Sequence, residues 1–387
     1  MTPTPDPAEL RSEFLLDPDV AFLNHGSFGA CPRPVFERYQ AYQRELEREP
    51  VDFLSRRLPD LLAHARAELA RYLNAAPQDL AFVPNATTGV NLAARSLSLQ
   101  PGDEILATDL EYGACDLAWE WLCRRTGASY VRAPIPLPLD SPDTLVEILF
   151  AHATEHTRVV SVSHITSSTA LVLPVEEIVA RARGLGLVTI VDGAHAPAHV
   201  PVDLEALGAD FYSGNTHKWL CAPKGAGFLH VRPGLQEPVD AAIVSWGYVD
   251  GNSFQERIEK QGTRDPAAWL AVPEAIAFQE ERNWDAVRER CRALTRATRE
   301  ELCALLGSKP LAPAEMLGQM ASVRLPRPDA SLSSRLFANH RVEIPVAGPD
   351  DDLLRISVAA YTTRDEIERL LAALVRELDA EDRQHDE

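Results

Sequence analysis

The chain has 387 residues, 45% hydrophobic and 25% charged, a make-up that fits one large globular domain with a smaller companion and excludes a mainly disordered chain. Lys and Arg number 38 against 57 Asp and Glu, a net charge of −19. That balance argues against nucleic acid or an anionic membrane as the main partner.

Residues 1–10 have neither the basic start nor the apolar core of a signal peptide. No stretch approaches the roughly 18–20 continuous apolar residues of a membrane helix. A cytoplasmic protein is the expectation. The six cysteines (Cys31, Cys115, Cys123, Cys221, Cys291 and Cys303) form no C-x-x-C pair and read as free thiols.

The first clear strand is residues 80–83 (LAFV), followed by a helical stretch over 88–97. Residues 104–107 (EILA) precede a helix over 116–124, and residues 159–162 (VVSV) precede one over 175–183. Residues 188–191 (VTIV) end at Asp192-Gly193, and runs at 211–213 and 227–231 follow. Short apolar strands separated by amphipathic helices predict an α/β domain with a mostly parallel sheet. Beyond Trp269 the pattern changes. Helices over 267–281, 285–306, 331–339 and 364–377 alternate with strands at 322–325 and 354–358, which reads as a small α+β unit. The expected division is 20–283 for the large domain and 284–387 for the small one, with 1–19 packing nearby.

Several standard motifs are absent: no G-x-x-x-x-G-K-[ST], no G-x-G-x-x-G and no G-x-S-x-G. His152, Glu155 and His156 match H-x-x-E-H but have no third ligand in view, so they read as a solvated helix end and no metal is expected. His195 and His199 are four apart with Pro197 between them, which keeps them off one helical face.

The informative region is 189–227. An apolar strand delivers Asp192 to its C-terminal end, where open α/β sheets place their ligands. After one crossover a second strand ends in Ser213-Gly214-Asn215-Thr216-His217-Lys218. Taken singly, Asp192 reads as a turn cap and Lys218 as a surface lysine. At neighbouring strand ends they form the pair that pyridoxal phosphate needs: a lysine to hold its aldehyde as a Schiff base, and a carboxylate to keep its ring nitrogen protonated. A buried aspartate beside a cation is expected to stay ionised. Residues 85–91 (NATTGVN) open a helix after the first strand. They read equally as a phosphate-binding helix N-terminus or as a plain N-cap.

The strings LNHGSFGACPRPV (23–35), FVPNATTGVN (82–91), LEYGA (110–114), VDGAHAP (191–197), DFYSGNTHKWLCAPKGAGFLHVRP (210–233), QGTRDPAAWLAVP (261–273) and LRISVAAYTT (354–363) span nearly the whole chain. Together they resemble the class V aminotransferase family of fold-type I pyridoxal-phosphate enzymes, in its isopenicillin-N-epimerase-like branch. The resemblance implies a large domain with a mostly parallel seven-stranded sheet and a small α+β C-terminal domain. It makes Lys218 the Schiff-base lysine and proton shuttle, and Asp192 the partner of the pyridine nitrogen. His195 would approach the ring or its phenolic oxygen, and Tyr112 would stack on the ring. Thr87, Thr88 and His217 would bind the phosphate, and Thr263 would reach the phosphate of the partner subunit in a homodimer. Arg355 would take the substrate carboxylate, with Asn24, His25, His164 and Ser167 lining the substrate side.

The implied chemistry is Schiff-base formation with an amino acid and removal of its Cα proton. Epimerisation, transamination and β-elimination all diverge from there, and a C–S β-lyase acting on a cysteine-derived sulfoxide is the alternative. A non-catalytic cofactor holder would not need to keep Lys218, Asp192 and Arg355 together. Cysteine desulfurases of the family carry a nucleophilic cysteine shortly before the arginine matching Arg355. Residues 339–355 contain none, from which a desulfurase is expected to be excluded. Cys31, Cys115 and Cys221 read as small apolar fillers.

Overall fold

Runs such as LAFV and VTIV are apolar at successive positions, so both sides of the strand must find cover. They do so in a seven-stranded sheet. The computed structural model describes residues 4–385, with side chains to residue 378; the first three residues of the N-terminal stretch lie outside it. In chain order the strands are β1 (Ala21–Phe22), β2 (Leu80–Val83), β3 (Glu104–Thr108), β4 (Ser129–Ala133), β5 (Thr157–Ser163), β6 (Val188–Gly193), β7 (Phe211–Asn215), β8 (Gly227–Val231), β9 (Met320–Arg324), β10 (Val342–Glu343), β11 (Val346–Ala347) and β12 (Leu353–Ser357).

The large sheet runs β2-β8-β7-β6-β5-β3-β4. Strand β8 is antiparallel to both β2 and β7, and the remaining neighbours are parallel. Alternation along each strand divides its side chains between two cores. Leu80, Phe82, Val191, Tyr212 and Phe228 belong to one cluster, while Ala81, Val83, Ile190, Phe211 and Leu229 belong to the other. The fold expected from the resemblance, a mostly parallel seven-stranded sheet flanked by helices, is the fold observed. Strand β4 was not among the expected elements. It lies at the sheet edge with Ser129 and Arg132 exposed, so it lacks a continuous apolar run.

Towards the C-terminus, β11, β12 and β9 form an antiparallel three-stranded sheet, and the 23-residue helix Trp284–Leu306 packs against β9. Strand β1 pairs in parallel with β10, Ala21 opposite Val342. The expected boundary at residue 20 therefore falls just before a strand that pairs with the C-terminal unit. Phe14 extends the same tie, with its ring 4.7 Å from that of Tyr361 and 6.1 Å from that of Phe278. This N-terminal segment also brings residues 24–28 against the carboxyl ends of the large sheet. Among the described residues, no helix is long and apolar enough to cross a membrane.

Candidate active site

The carboxyl ends of β5, β6 and β7, the helix Ala86–Arg95 and β12 converge on a cavity of about 400 Å³. Asp192 stands near the end of β6, in register with Ser163 of β5 and Ser213 of β7. It is buried. Its Oδ1 accepts the Ala194 amide at 2.9 Å, and its Oδ2 accepts the Cys115 thiol at 3.3 Å. Cys115 is therefore more than the apolar filler expected. Burial pushes the Asp192 carboxyl up, and the Ala194 amide, the Cys115 thiol and the Lys218 charge oppose that only in part. Burial thus works against the ionised form expected for Asp192, and the Lys218 charge works for it. A buried carboxylate so placed is stabilised by a cation brought against it, which is what a protonated pyridine nitrogen supplies.

Lys218 follows β7 in a tightly bonded loop. The Thr216 hydroxyl donates to the Ala226 carbonyl at 3.0 Å, and the Ala222 amide donates back to the Thr216 carbonyl at 3.0 Å. Gly29 makes the close approach possible. Its φ is +69°, and a Cβ there would lie 2.1 Å from the His217 carbonyl oxygen, so no other residue fits without moving the loop. The Lys218 ammonium is pushed down to about 8, chiefly by burial and then by the Arg355 charge. Its Nζ lies 3.0 Å from His195 Nε2. Burial holds His195 well below its ordinary value, so the ring is neutral and accepts at Nε2. Its buried Nδ1 has no hydrogen-bond partner among the described residues.

The first turn of the helix Ala86–Arg95 faces the same cavity. Asn215 Oδ1 accepts the Ala86 amide at 2.8 Å and Asn85 Oδ1 accepts the Thr88 amide at 2.9 Å, with Thr87 between them lining the cavity. The Thr88 hydroxyl also donates to Asn85 Oδ1, at 3.1 Å, so Thr88 is tied to the N-cap residue of its own helix and does not line the cavity as expected. His217 does line it. Its Nδ1 donates to the Ala226 carbonyl at 2.8 Å, which leaves Nε2 for a ligand.

Arg355 of β12 enters from the C-terminal unit and is only 4% exposed. Among the described residues its guanidinium meets only neutral oxygens: the Ser167 carbonyl at 2.7 Å and hydroxyl at 3.3 Å, Ser27 Oγ at 2.8 Å and Asn24 Oδ1 at 3.5 Å. Its Nε has no partner. Burial pushes this group down to about 10. A buried fork without a carboxylate is preorganised for an anion.

Four other expected residues are placed differently. Ser163, Ile165 and Ser167 line the cavity, so strand-like alternation turns His164 away, and its Nδ1 lies 2.9 Å from the hydroxyl of Tyr212. His25 packs between Trp219 and Tyr361, with Nδ1 2.9 Å from the Tyr361 hydroxyl and Nε2 3.1 Å from the Lys218 carbonyl. It supports the lysine loop from behind. Asn24 likewise stays outside the cavity and holds Arg355. Thr263 is exposed and lines a separate cavity of about 800 Å³ with Trp246, Arg264 and Trp269. Tyr112, at the start of the helix Gly113–Thr126, lines the first cavity while 46% exposed.

The sequence reading missed Ser27, Asn85, Asn215 and above all Glu111. Glu111 is a largely buried carboxylate accepting from Thr108 Oγ1 at 2.5 Å and from both the amide and hydroxyl of Ser163 at 2.7 Å. Burial raises it to about 7, with Asp192 adding to the rise. Its signal was visible, an acid lodged between an apolar strand and Tyr112. The H-x-x-E-H residues remain a helix end, His152 Nδ1 being 2.9 Å from the Ile148 carbonyl. Among the described residues no group of three or more His, Cys, Asp or Glu could hold a metal.

The buried unpartnered His195 Nδ1 and Arg355 Nε, the carboxylate of Asp192 and the helix N-terminus at Thr87 fit pyridoxal phosphate together with an anionic substrate.

Known proteins place the chain. The family model for aminotransferase class-V matches residues 29–370. An isopenicillin N epimerase of Amycolatopsis lactamdurans is 44% identical over 95% of this chain and 97% of its own length. One of Streptomyces clavuligerus is 41% identical with the same coverage. Among solved structures, the cysteine desulfurase CsdA from Escherichia coli superposes with a TM-score of 0.84 at 23% identity, covering 98% of this chain and 100% of that one. A C-DES variant with glycine covalently linked to its pyridoxal phosphate gives 0.82 at 24%, covering 96% and 99%. The expected exclusion of cysteine desulfurases does not stand. A cysteine desulfurase of Cronobacter sakazakii is 28% identical over 95% of this chain and 97% of its own length, and the CsdA fold matches throughout. One loop without a cysteine does not separate this chain from relatives that share its whole framework. The chain belongs to the aminotransferase class-V family of pyridoxal-phosphate enzymes, and over nearly its full length it is isopenicillin-N-epimerase-like.

Proposed function

We propose that this enzyme removes and returns the Cα proton of an amino acid, with epimerisation as the net reaction. One observation carries the reading: the Lys218 amine, pushed down to about 8, shares a cavity with a buried carboxylate, Asp192, and with a buried guanidinium that has no carboxylate of its own, Arg355. Bound pyridoxal phosphate supplies an electron sink for negative charge at Cα. Asp192 holds the ring nitrogen protonated, with Cys115 steadying its Oδ2. His195 and Tyr112, which line the cavity, would hold the phenolic oxygen and the ring face respectively. Thr87 and His217 hold the phosphate, and Thr88 contributes by shaping the helix start. His217 already donates through Nδ1 to the Ala226 carbonyl, so Nε2 would be the atom left for the phosphate.

Arg355 takes the α-carboxylate, backed by Asn24 and with Ser167 beside it. This orients the Cα–H bond toward Lys218, whose lowered pKa leaves a usable neutral fraction near neutral pH to accept the proton. Residues 20–283 form the cofactor domain and 284–387 the smaller one on this reading. The active unit is a homodimer in the cytoplasm. Thr263 lies outside its own chain's cavity, which suits a residue that serves the partner's phosphate, and Trp246 beside it is 81% exposed, as an interface residue in an isolated chain would be.

The test is proton exchange in heavy water with added pyridoxal phosphate and L- and D-amino acids, following deuterium at Cα, chirality, keto acids and pyruvate. Exchange with inversion is expected. Pyruvate from cysteine-type substrates would replace this reading with the lyase, a new keto acid would replace it with transamination, and no exchange with any compound would overturn it.

A further inference from the structure

Beside the active-site cavity lies a second hollow of about 390 Å³, bordered by Leu16, Phe22, Asn24, Phe28, Phe337 and Glu343. One residue borders both, and a second lies between the hollow and Arg355. Phe28 borders both cavities and is 71% exposed, and Asn24 borders the hollow while its Oδ1 lies 3.5 Å from Arg355 Nη2. The walls come from the N-terminal segment on one side and from the helix Leu332–His340 and β10 on the other. The lining is mainly apolar. Of its two carboxylates, Asp17 is paired with Arg341 at 2.9 Å, and Glu343 stays in the lining, its Oε1 accepting the Asn24 side-chain amide at 3.1 Å.

We infer that this hollow is the side-chain subsite of the substrate, and that the enzyme favours amino acids with extended, uncharged side chains over short or acidic ones. The inference rests on the assignment of Arg355 to the α-carboxylate. With the carboxylate held there, a side chain directed past Phe28 leaves the polar cavity within a few bonds and enters the apolar hollow. Methylene groups are removed from water there at roughly fourfold in affinity per group. An acidic end would meet the Glu343 carboxylate, and like charges in a partly buried site repel.

α-Methyl amino acids test this without turnover, because they lack the Cα hydrogen. The holoenzyme is titrated with 2-aminoisobutyrate, α-methyl-L-norleucine and α-methyl-L-glutamate, following the cofactor absorbance. α-Methyl-L-norleucine, with three more methylenes than 2-aminoisobutyrate, should bind at least tenfold more tightly than it and more tightly than the glutamate analogue. Leu16→Trp, which fills the hollow, should cut that preference to below threefold. Phe337→Asp, on a partly exposed helix position, should do the same if the tryptophan variant fails to fold. Equal affinity for the short and long compounds, tighter binding of the acidic one, or a preference that survives both variants would overturn the subsite. If none of the three perturbs the spectrum, the amino-acid reading itself falls, and the subsite with it.

Discussion

Arg355 is where binding and folding separate most clearly. Burial takes its guanidinium from 12.5 down to about 10, roughly 3 kcal/mol against the charged form. Its two short bonds, to the Ser167 carbonyl and Ser27 Oγ, each contribute about 1.5–3 kcal/mol as bonds from a charged donor, which offsets that penalty. Replacing Arg355 by Met removes both sides of the balance, so stability is expected to change by no more than about 2 kcal/mol. Substrate binding has no such compensation. Loss of one partner from a buried, hydrogen-bonded charge pair costs about 2–5 kcal/mol, or roughly 30- to 5,000-fold in affinity. Arg355→Lys, which keeps the charge without the planar fork, should recover only part of it. The assay pairs urea unfolding with spectral titration by an amino acid, and the cofactor band should be unchanged. Amino-acid affinity within threefold of the parent would remove Arg355 from the substrate site. A stability loss above about 4 kcal/mol would make it a structural ion instead.

Glu111→Gln should keep the hydrogen bonds of the buried carboxylate, accepting from Ser163 with its carbonyl and donating to Thr108 Oγ1 with its amide. The parent's Glu111 is raised from 4.5 to about 7, so the unfolded chain ionises first and this group withdraws stability as pH rises across that window. Urea midpoints should therefore show the variant ahead by up to about 3 kcal/mol at pH 8 and level near pH 4.5; no gain at pH 8 would count against the buried charge. Lys218 acts in the opposite sense. Lowered from 10.5 to about 8, it penalises the cofactor-free fold below pH 8 and releases that penalty as pH rises toward 10.5. Lys218→Met should abolish the rise, and an identical pH profile for the two proteins would refute it. Trp246→Asp should yield monomers by sedimentation and weaken cofactor binding at least tenfold. A dimer, or a monomer that holds the cofactor as well as the parent, would sink the shared site.

The sheet was legible because its strands are apolar on both faces. Leu80–Val83, Val188–Gly193 and Gly227–Val231 each announce themselves as strands buried at every position or nearly so. Asp192 and Lys218 were legible for the same reason, since polar residues directly after such runs must emerge at strand ends. The edge strand Ser129–Ala133 and the pairing of Ala21–Phe22 with Val342–Glu343 were not, because a half-exposed or two-residue strand carries too little pattern.

Within the site, composition told which segments meet but not which side chains turn inward. His164 is polar, adjacent to Ser163 and equally suited to a substrate, yet alternation along the chain sends it to Tyr212 and leaves Ser163, Ile165 and Ser167 at the cavity. Thr88 and Thr87 are chemically alike, and Asn85 claims the hydroxyl of one of them. His25 was drawn to Tyr361 and the Lys218 carbonyl by a contact 336 residues along the chain. Local sequence thus determined the cofactor chemistry through residue type and strand position. Only the tertiary structure decided which donors were already spent, because a hydrogen-bonding group joins a site only when no closer partner has satisfied it.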